Sequence, residues 1–481
     1  MRVELKVIGL MAALVLVGCD DDDSGTDAGP MTMTDGGGDT DAGGDTDAGE
    51  TTTNTIVDVA VGNDDFSTLV AALQRADLVD TLAGAGPFTV FAPTNDAFAA
   101  SGITDVDAVP VEDLTQILLY HVVAAEVPSS AIAAGPVDSA NDLSILIGTD
   151  GGVTLNGGNA VEGGANVTTP DVDADNGVIH IIDRVLLPPD VTDLARYAGL
   201  TELVAALAAE SLVEPLQGEG PFTVFAPTND AFPDTAPPGL AGILLYHVIS
   251  GAAVDSGSIP TAAATMSTVS YTDGGTTRDV ALSVLFDTSD GVAVNGGSGT
   301  DATNLGGDVV IADVKATNGI VHVIDGVLLP LSITEVALAG GFTSLVAAVS
   351  ASDPIPASIA GSETPVIDAL SMDTLAPLTV FAPTDAAFAT AFPGGVPSDG
   401  AALLGVLALH VLALGLPVRA EDIPSTDVPP LAGSDLTFDA AATPPTVGVT
   451  GGGTTAGIAL TDIGATNGVV HVIDTVLLEG T

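Results

Sequence analysis

The stretch Thr89–Phe98 reads TVFAPTNDAF, returns letter for letter at Thr223–Phe232, and recurs as TVFAPTDAAF at Thr379–Phe388. Phe-Thr-Val-Phe alternates and is rich in β-branched and aromatic residues, so it predicts a strand. Ala-Pro-Thr interrupts it. The Thr suits a helix N-cap, and Asn95-Asp96 or Asn229-Asp230 then fall in a first turn, where acids complement the helix dipole. The closing Phe98, Phe232 and Phe388 are placed to pack the new helix against the strand just left. The decamer therefore reads as a strand-to-helix corner, and it holds no nucleophile with a base beside it.

The copies extend in both directions. Upstream, Phe66, Leu69, Val70, Leu73 and Ala76 mark one face of a helix, as do Leu200, Leu203, Val204 and Leu207, and again Phe342, Leu345, Val346 and Val349. Gly86-Pro87 and Gly220-Pro221 are turn signals before the strand. Downstream, LTQILLYHVV, LAGILLYHVI and LLGVLALHVL each carry an apolar helix into a strand, with His121, His247 and His410 at the same place. Short strands with Gly turns follow, such as GGVTLNGG and DGVAVNGG. Each copy closes on an Asn-Gly hairpin: NGVIHIIDRVLLP, NGIVHVIDGVLLP and NGVVHVIDTVLLE. There Val178, His180 and Ile182 alternate with Ile179, Ile181 and Asp183, which predicts a strand covered on both sides. All six histidines of the chain sit at these two recurring places. A repeat of about 130 to 150 residues is domain-sized and longer than solenoid units.

At this level of detail the residues resemble a known family. TVFAPTNDAF resembles the first signature of fasciclin (FAS1) domains, NG-x-x-H-x-I-D the second, and Tyr120-His121 and Tyr246-His247 the motif between them. The resemblance runs over roughly 53 to 479. It implies an α+β fold of three tandem FAS1-like domains, each a β-sandwich or wedge with a flanking α-helical bundle. It also implies extracellular adhesion or matrix binding without a cofactor, with contact zones at Tyr120, His121, Tyr246 and His247. The third copy departs, with Leu409-His410 for Tyr-His, Asp385-Ala386 for Asn-Asp, and a Pro- and Ser-rich insert at 352–365. The domain limits expected are 53–188, 189–331 and 332–481.

The whole chain agrees with three domains: 481 residues, 46% hydrophobic, only 4% aromatic and without Trp, so the cores are built from Ala, Val, Leu and Ile. Sixty-three acids against 8 Lys plus Arg give a formal charge of −55, which repels nucleic acid and attracts cations. The start, MRVELKVIGLMAALVLVGCDDDD, has Arg2 and Lys6 before a short apolar run ending at small Gly18. Residues 1–18 therefore read as a signal peptide, too short to span a bilayer as a helix. Leu16-Val17-Gly18-Cys19 resembles a bacterial lipobox, which implies cleavage before Cys19 and acylation of its sulfur. Cys19 is the sole cysteine, so no intramolecular disulfide forms. Residues 19–52, nearly all Asp, Gly, Thr and Ala, are expected to be an acidic disordered tether with a reach of roughly 30 Å.

Three features of the sequence bear on chemistry. Two histidines and no cysteine per repeat fall short of the three or four converging ligands of a metal site. His180 with Asp183, His322 with Asp325, His410, and His471 with Asp474 are instead expected to be structural. Asp171 opens DVDADNG, which mimics a calcium loop, but Asn176 stands where Gly is needed and no Glu closes it. Weak calcium binding by surface acids remains an expectation. No nucleophile elbow, phosphate loop or H-E-x-x-H is present. The expectation is a non-enzymatic, lipid-anchored envelope protein, facing the periplasm or cell surface, that adheres to a surface polymer, matrix or cell-surface protein. The rival is a small-ligand or cation-binding protein, motivated by the charge and by the insertion between Ser256 and Asn318.

Overall fold

The computed structural model describes residues 54–233, 235–297, 305–352, 370, 377–423 and 426–480. The leader, Cys19, the acidic stretch to residue 52 and nearly all of the 352–365 insert lie outside these residues.

The two signatures become neighbouring strands. In the first domain β1 is Phe88–Pro93, β2 Val122–Val123, β3 Gly135–Asp138, β4 Ser144–Gly148, β5 Thr154–Leu155, β6 Ala165–Ala174 and β7 Gly177–Ile182. They form one sheet in the order β2-β1-β7-β6-β5-β4-β3. β1 and β7 run parallel, with Phe91 opposite His180. This parallel pair, second and third from one edge of the sheet, is buried on both faces, which is why these strands read as near-continuous apolar runs. The second domain repeats the order with seven strands, from β8 (Phe222–Pro227) to β14 (Gly319–Ile324), and the third with six, from β15 (Leu378–Pro383) to β20 (Gly468–Ile473). In the third, a single bridge, Val428 to Leu436, stands in place of a strand corresponding to β3.

The helices cover one face. In the first domain Ile56–Val61, Ser67–Arg75, Val79–Leu82, Asn95–Ala100 and Val111–Tyr120 bury Phe66, Leu69, Leu73 and Phe98 against Val90, Ala92 and Ile179. On the opposite face Phe91 and Ile182 meet Ile145, Ile147 and Leu155. The sheet thus curls until β4 and β5 lie over β1 and β7, which makes the wedge.

The decamer makes its corner through a half-buried Thr94 cap, whose hydroxyl accepts from the Ala97 N–H at 3.2 Å. The strand itself continues through Ala92 and Pro93, two residues beyond the end that the sequence reading placed at Phe91. In the second domain the same ten letters give only a three-residue 3-10 turn, Asn229–Ala231, and Thr228 caps nothing. The next residue explains it: Pro233 has no N–H to extend the turn.

The closing hairpin also differs in detail from its reading. Ala174 pairs with Gly177, so Asp175 and Asn176 form the turn and the Gly already belongs to β7. The Gly is required for closeness: a Cβ on Gly177 would lie 2.0 Å from the Phe88 carbonyl oxygen, and Gly319 and Gly468 are equally crowded by Phe222 and Leu378. Asn176 staples the domain shut. Its Oδ1 accepts from Ile56 N at 2.9 Å and its Nδ2 donates to Leu82 and Gly84 carbonyls at 2.8 Å. Asn318 and Asn467 do the same for Val191 and Ile333.

Candidate functional site

The six histidines are all buried, at 0 to 2% exposure, and they form two sets with different jobs. His121 ends the helix Val111–Tyr120. Its Nδ1–H donates to the Ile117 carbonyl at 2.7 Å, and its Nε2 accepts from Leu186 N–H at 2.9 Å. His247 binds Ile243 O and Leu328 N in the same way, and His410 binds Val406 O and Leu477 N. Each bracket satisfies an orphan carbonyl of a helix end and ties that helix to the segment after the closing strand. Burial drives the pKa of all three down to about 4, opposed only in part by the backbone hydrogen bond. They are neutral, with the tautomer set by both partners.

The second set holds a loop. His180 Nε2–H donates to Val127 O at 2.9 Å, while Thr89 Oγ1 accepts from Val127 N at 2.8 Å. The Thr of the first signature and the His of the second thus grip the two backbone groups of one residue. Thr223 and His322 grip Val254, and Thr379 and His471 grip Val418. The imidazoles lie 5.4 to 5.6 Å from the rings of Phe91, Phe225 and Phe381. Burial lowers the pKa of His322 and His471.

The same histidines accept, at Nδ1, from the backbone N–H of Asp171, Asp313 and Asp462 at 3.2 to 3.3 Å. These aspartates have φ of 57°, 60° and 61° and lie where the strand register shifts at a bulge. Bulges re-aim side chains, and here each carboxylate accepts from the loop: Ser129 N at 2.7 Å, Ser256 N at 2.7 Å and Ala420 N at 2.8 Å. Asp171 is therefore a loop anchor. It is the one acid of DVDADNG that has a counterpart in every repeat. Among the described residues no group of three or more His, Cys, Asp or Glu is placed to hold a metal ion.

Two sequence expectations are corrected. Tyr120, His121, Tyr246 and His247 were expected to be contact residues, yet their side chains lie at 0 to 2% exposure. The cause is the curl of the sheet over the helix end. Tyr120 OH donates to Ser144 O at 2.8 Å and accepts from Asn156 Nδ2 at 3.0 Å; Tyr246 repeats this with Ser283 and Asn295. Burial raises both tyrosine pKa values. Secondly, His180 and Asp183 are not partners. Asp183, Asp325 and Asp474 instead accept from the backbone N–H of Asn166, Asp308 and Gly457 at 2.7 to 2.8 Å, each fastening the end of a closing strand to the start of its neighbour.

What remains exposed beside these brackets is the gripped loop itself. In the first domain Ala124, Ala125, Glu126 and Ser130 are exposed, and in the second Gly251, Ala253, Asp255, Gly257 and Ser258. In the third, Ala413, Leu414 and Gly415 of the corresponding loop are exposed too, but its far end is held by the second domain: Arg278 donates to the Pro417 carbonyl and pairs with Asp422 at 3.1 Å. The insertion that motivated the ligand-binding rival forms the long hairpin β10 (Ala262–Asp273) and β11 (Thr276–Asp287), which reaches the third domain. Tyr271 OH there donates to Thr466 O at 2.9 Å. No described helix is long and apolar enough to cross a membrane.

The fasciclin domain model matches residues 64–188, 198–330 and 341–479. Protein sll1483 of Synechocystis sp. is 48% identical over 28% of this chain and 74% of its own length. Immunogenic protein MPB70 of Mycobacterium bovis is 36% identical over 27% of this chain and 67% of its own. Human periostin is 33% identical over 37% of this chain but only 22% of its own. A solved FAS1 domain pair from the insect cell adhesion molecule Fasciclin I is 20% identical, with a TM-score of 0.33, over 56% of this chain and 98% of that one. With its family model matched three times over most of its length, this chain belongs to the fasciclin domain family.

Proposed function

We propose that this protein is an adhesion or matrix-interaction protein of the cell envelope, anchored through lipid on Cys19 and working by binding rather than catalysis. The contact surface is the pair of exposed loops at 124–131 and 251–258. One observation carries this reading: buried Thr and His side chains from both signatures converge on Val127 and Val254, while the residues flanking them face solvent. A loop held this way loses little entropy on binding. Two such loops in series give avidity without any new contact. The partner is a surface polymer, a matrix component or a cell-surface protein, with calcium bridging to an acidic partner as one route.

The test is binding of the soluble chain, residues 53–481, to native envelope or exopolymer, with and without a chelator. Replacing Ala125-Glu126 and Ala253 by Gly-Lys and Lys is expected to weaken binding tenfold or more with the melting temperature unchanged. Undiminished binding by that variant contradicts the loop assignment.

A further inference from the structure

The two joints between domains are built alike. Ser144 Oγ of the first domain accepts from the backbone N–H of Lys315 in the second at 2.9 Å. Ser283 Oγ of the second accepts from the N–H of Gly464 in the third at 3.0 Å. Lys315 and Gly464 each stand three residues before the hairpin Asn, Asn318 and Asn467. Two residues after each Ser, Leu146 packs on the second domain's core and Leu285 is buried in the third's.

Behind each Ser stands the Tyr-Asn network. Tyr120 and Tyr246 hold the Ser144 and Ser283 carbonyls. Asn156 and Asn295, both at φ 53°, bond the Tyr hydroxyl and accept from the Leu146 and Leu285 N–H at 3.0 Å. The motif that ends the helix therefore sets the strand on which the next domain sits.

The third domain changes every member. Thr450 N donates to Asp435 O at 2.8 Å, as Asn156 N does to Leu146 O and Asn295 N to Leu285 O, so the backbone correspondence is fixed. At the four positions it carries Leu409, Gly433, Asp435 and Thr450. Asp435 is exposed. Glu479 lies beside it, its carboxylate accepting from Ser434 N at 3.0 Å. At the other end of the stack, the first domain carries an exposed Asp173 where the second has Lys315.

We propose that the Tyr-Asn-Ser-Leu set is a seat for the closing hairpin of another fasciclin domain, and that the third domain does not offer it. The first two domains take their successors through this seat. A second copy meets acid at both open ends, Asp435 with Glu479 against Asp173. A head-to-tail contact that does not close propagates into filaments, and the acidic ends oppose it.

The joint is tested by scattering from the soluble chain, residues 53–481, carrying Gly464→Val. The three atoms nearest to a Cβ there all belong to the second domain, among them Ala281 O at 2.0 Å and Val280 Cγ1 at 3.0 Å, so the substitution strikes the joint first. The expected result is a longer maximum dimension, with the circular dichroism of the native chain. Lys315→Ala is a second variant. Its side chain bridges Asp138 at 2.9 Å and Asp142 at 2.6 Å across the first joint, and its loss loosens that joint alone. Scattering profiles unchanged in both variants overturn the seat. Sedimentation of the native chain is expected to give monomers, and oligomers dissolved by Asp435→Lys overturn the closed end.

Discussion

At the scale of single residues, the histidines make a pH prediction. The folded pKa of His121, His247 and His410, near 4, lies below the unfolded value of 6.5. Between those values the unfolded chain binds more protons than the folded one. Stability is therefore full above about pH 6.5, is lost as pH falls, and this loss is complete near pH 4, with at most about 3 kcal/mol per histidine. Melting temperature measured from pH 7.5 to 4 is expected to fall most steeply below 6.5, and less steeply in His247→Gln. Tyr246→Phe leaves Ser283 O and Asn295 Nδ2 short of a partner, with a cost of about 1–3 kcal/mol by denaturant unfolding; in Asn295→Ala that penalty shrinks. The sequence marked these residues as recurrent but did not reveal their partners. Almost every partner is a backbone N–H or C=O, which leaves no letter in a sequence. The buried state of Tyr120 was hidden too, because it depends on strands 24 to 36 residues further on.

At the scale of elements, identical letters gave different structures. TVFAPTNDAF opens a capped six-residue helix in the first domain and an uncapped single turn in the second, because the deciding Pro233 lies outside the decamer. Thr94→Ala is accordingly expected to cost about 1 kcal/mol and Thr228→Ala almost nothing for want of a cap bond, measured by urea unfolding of the two variants. Periodicity located β1 and β7 and their two buried faces. It could not say that they pair in parallel, since strand order is set by packing between distant segments. Asn-Gly correctly announced a hairpin, yet its Gly is needed for the close approach of β1. Gly177→Ala must shift a backbone oxygen 2.0 Å away, so a loss of several kcal/mol, or failure to fold, is expected.

At the scale of the whole molecule, charge decides. The described residues hold six basic side chains, Arg75, Arg184, Arg196, Arg278, Lys315 and Arg419, and every one has an oxygen partner. Exposed pairs contribute little, about 0–1 kcal/mol each, while the formal charge of −55 repels throughout. Salt screens both, and repulsion has far more members. The melting temperature is expected to rise between 0.05 and 0.5 M sodium chloride; a fall would mean that the ion pairs at the joints dominate. Whether the repeated signatures are interior brackets or ligands is tested most directly by nitrogen-15 spectra of the six imidazoles in the intact chain. Three rings in the Nδ1–H tautomer, His121, His247 and His410, and three in the Nε2–H tautomer, His180, His322 and His471, all unmoved by added zinc, are the predicted result. Rings that exchange tautomers freely at pH 7, or a pair from the two sets that shifts together on zinc, would contradict it.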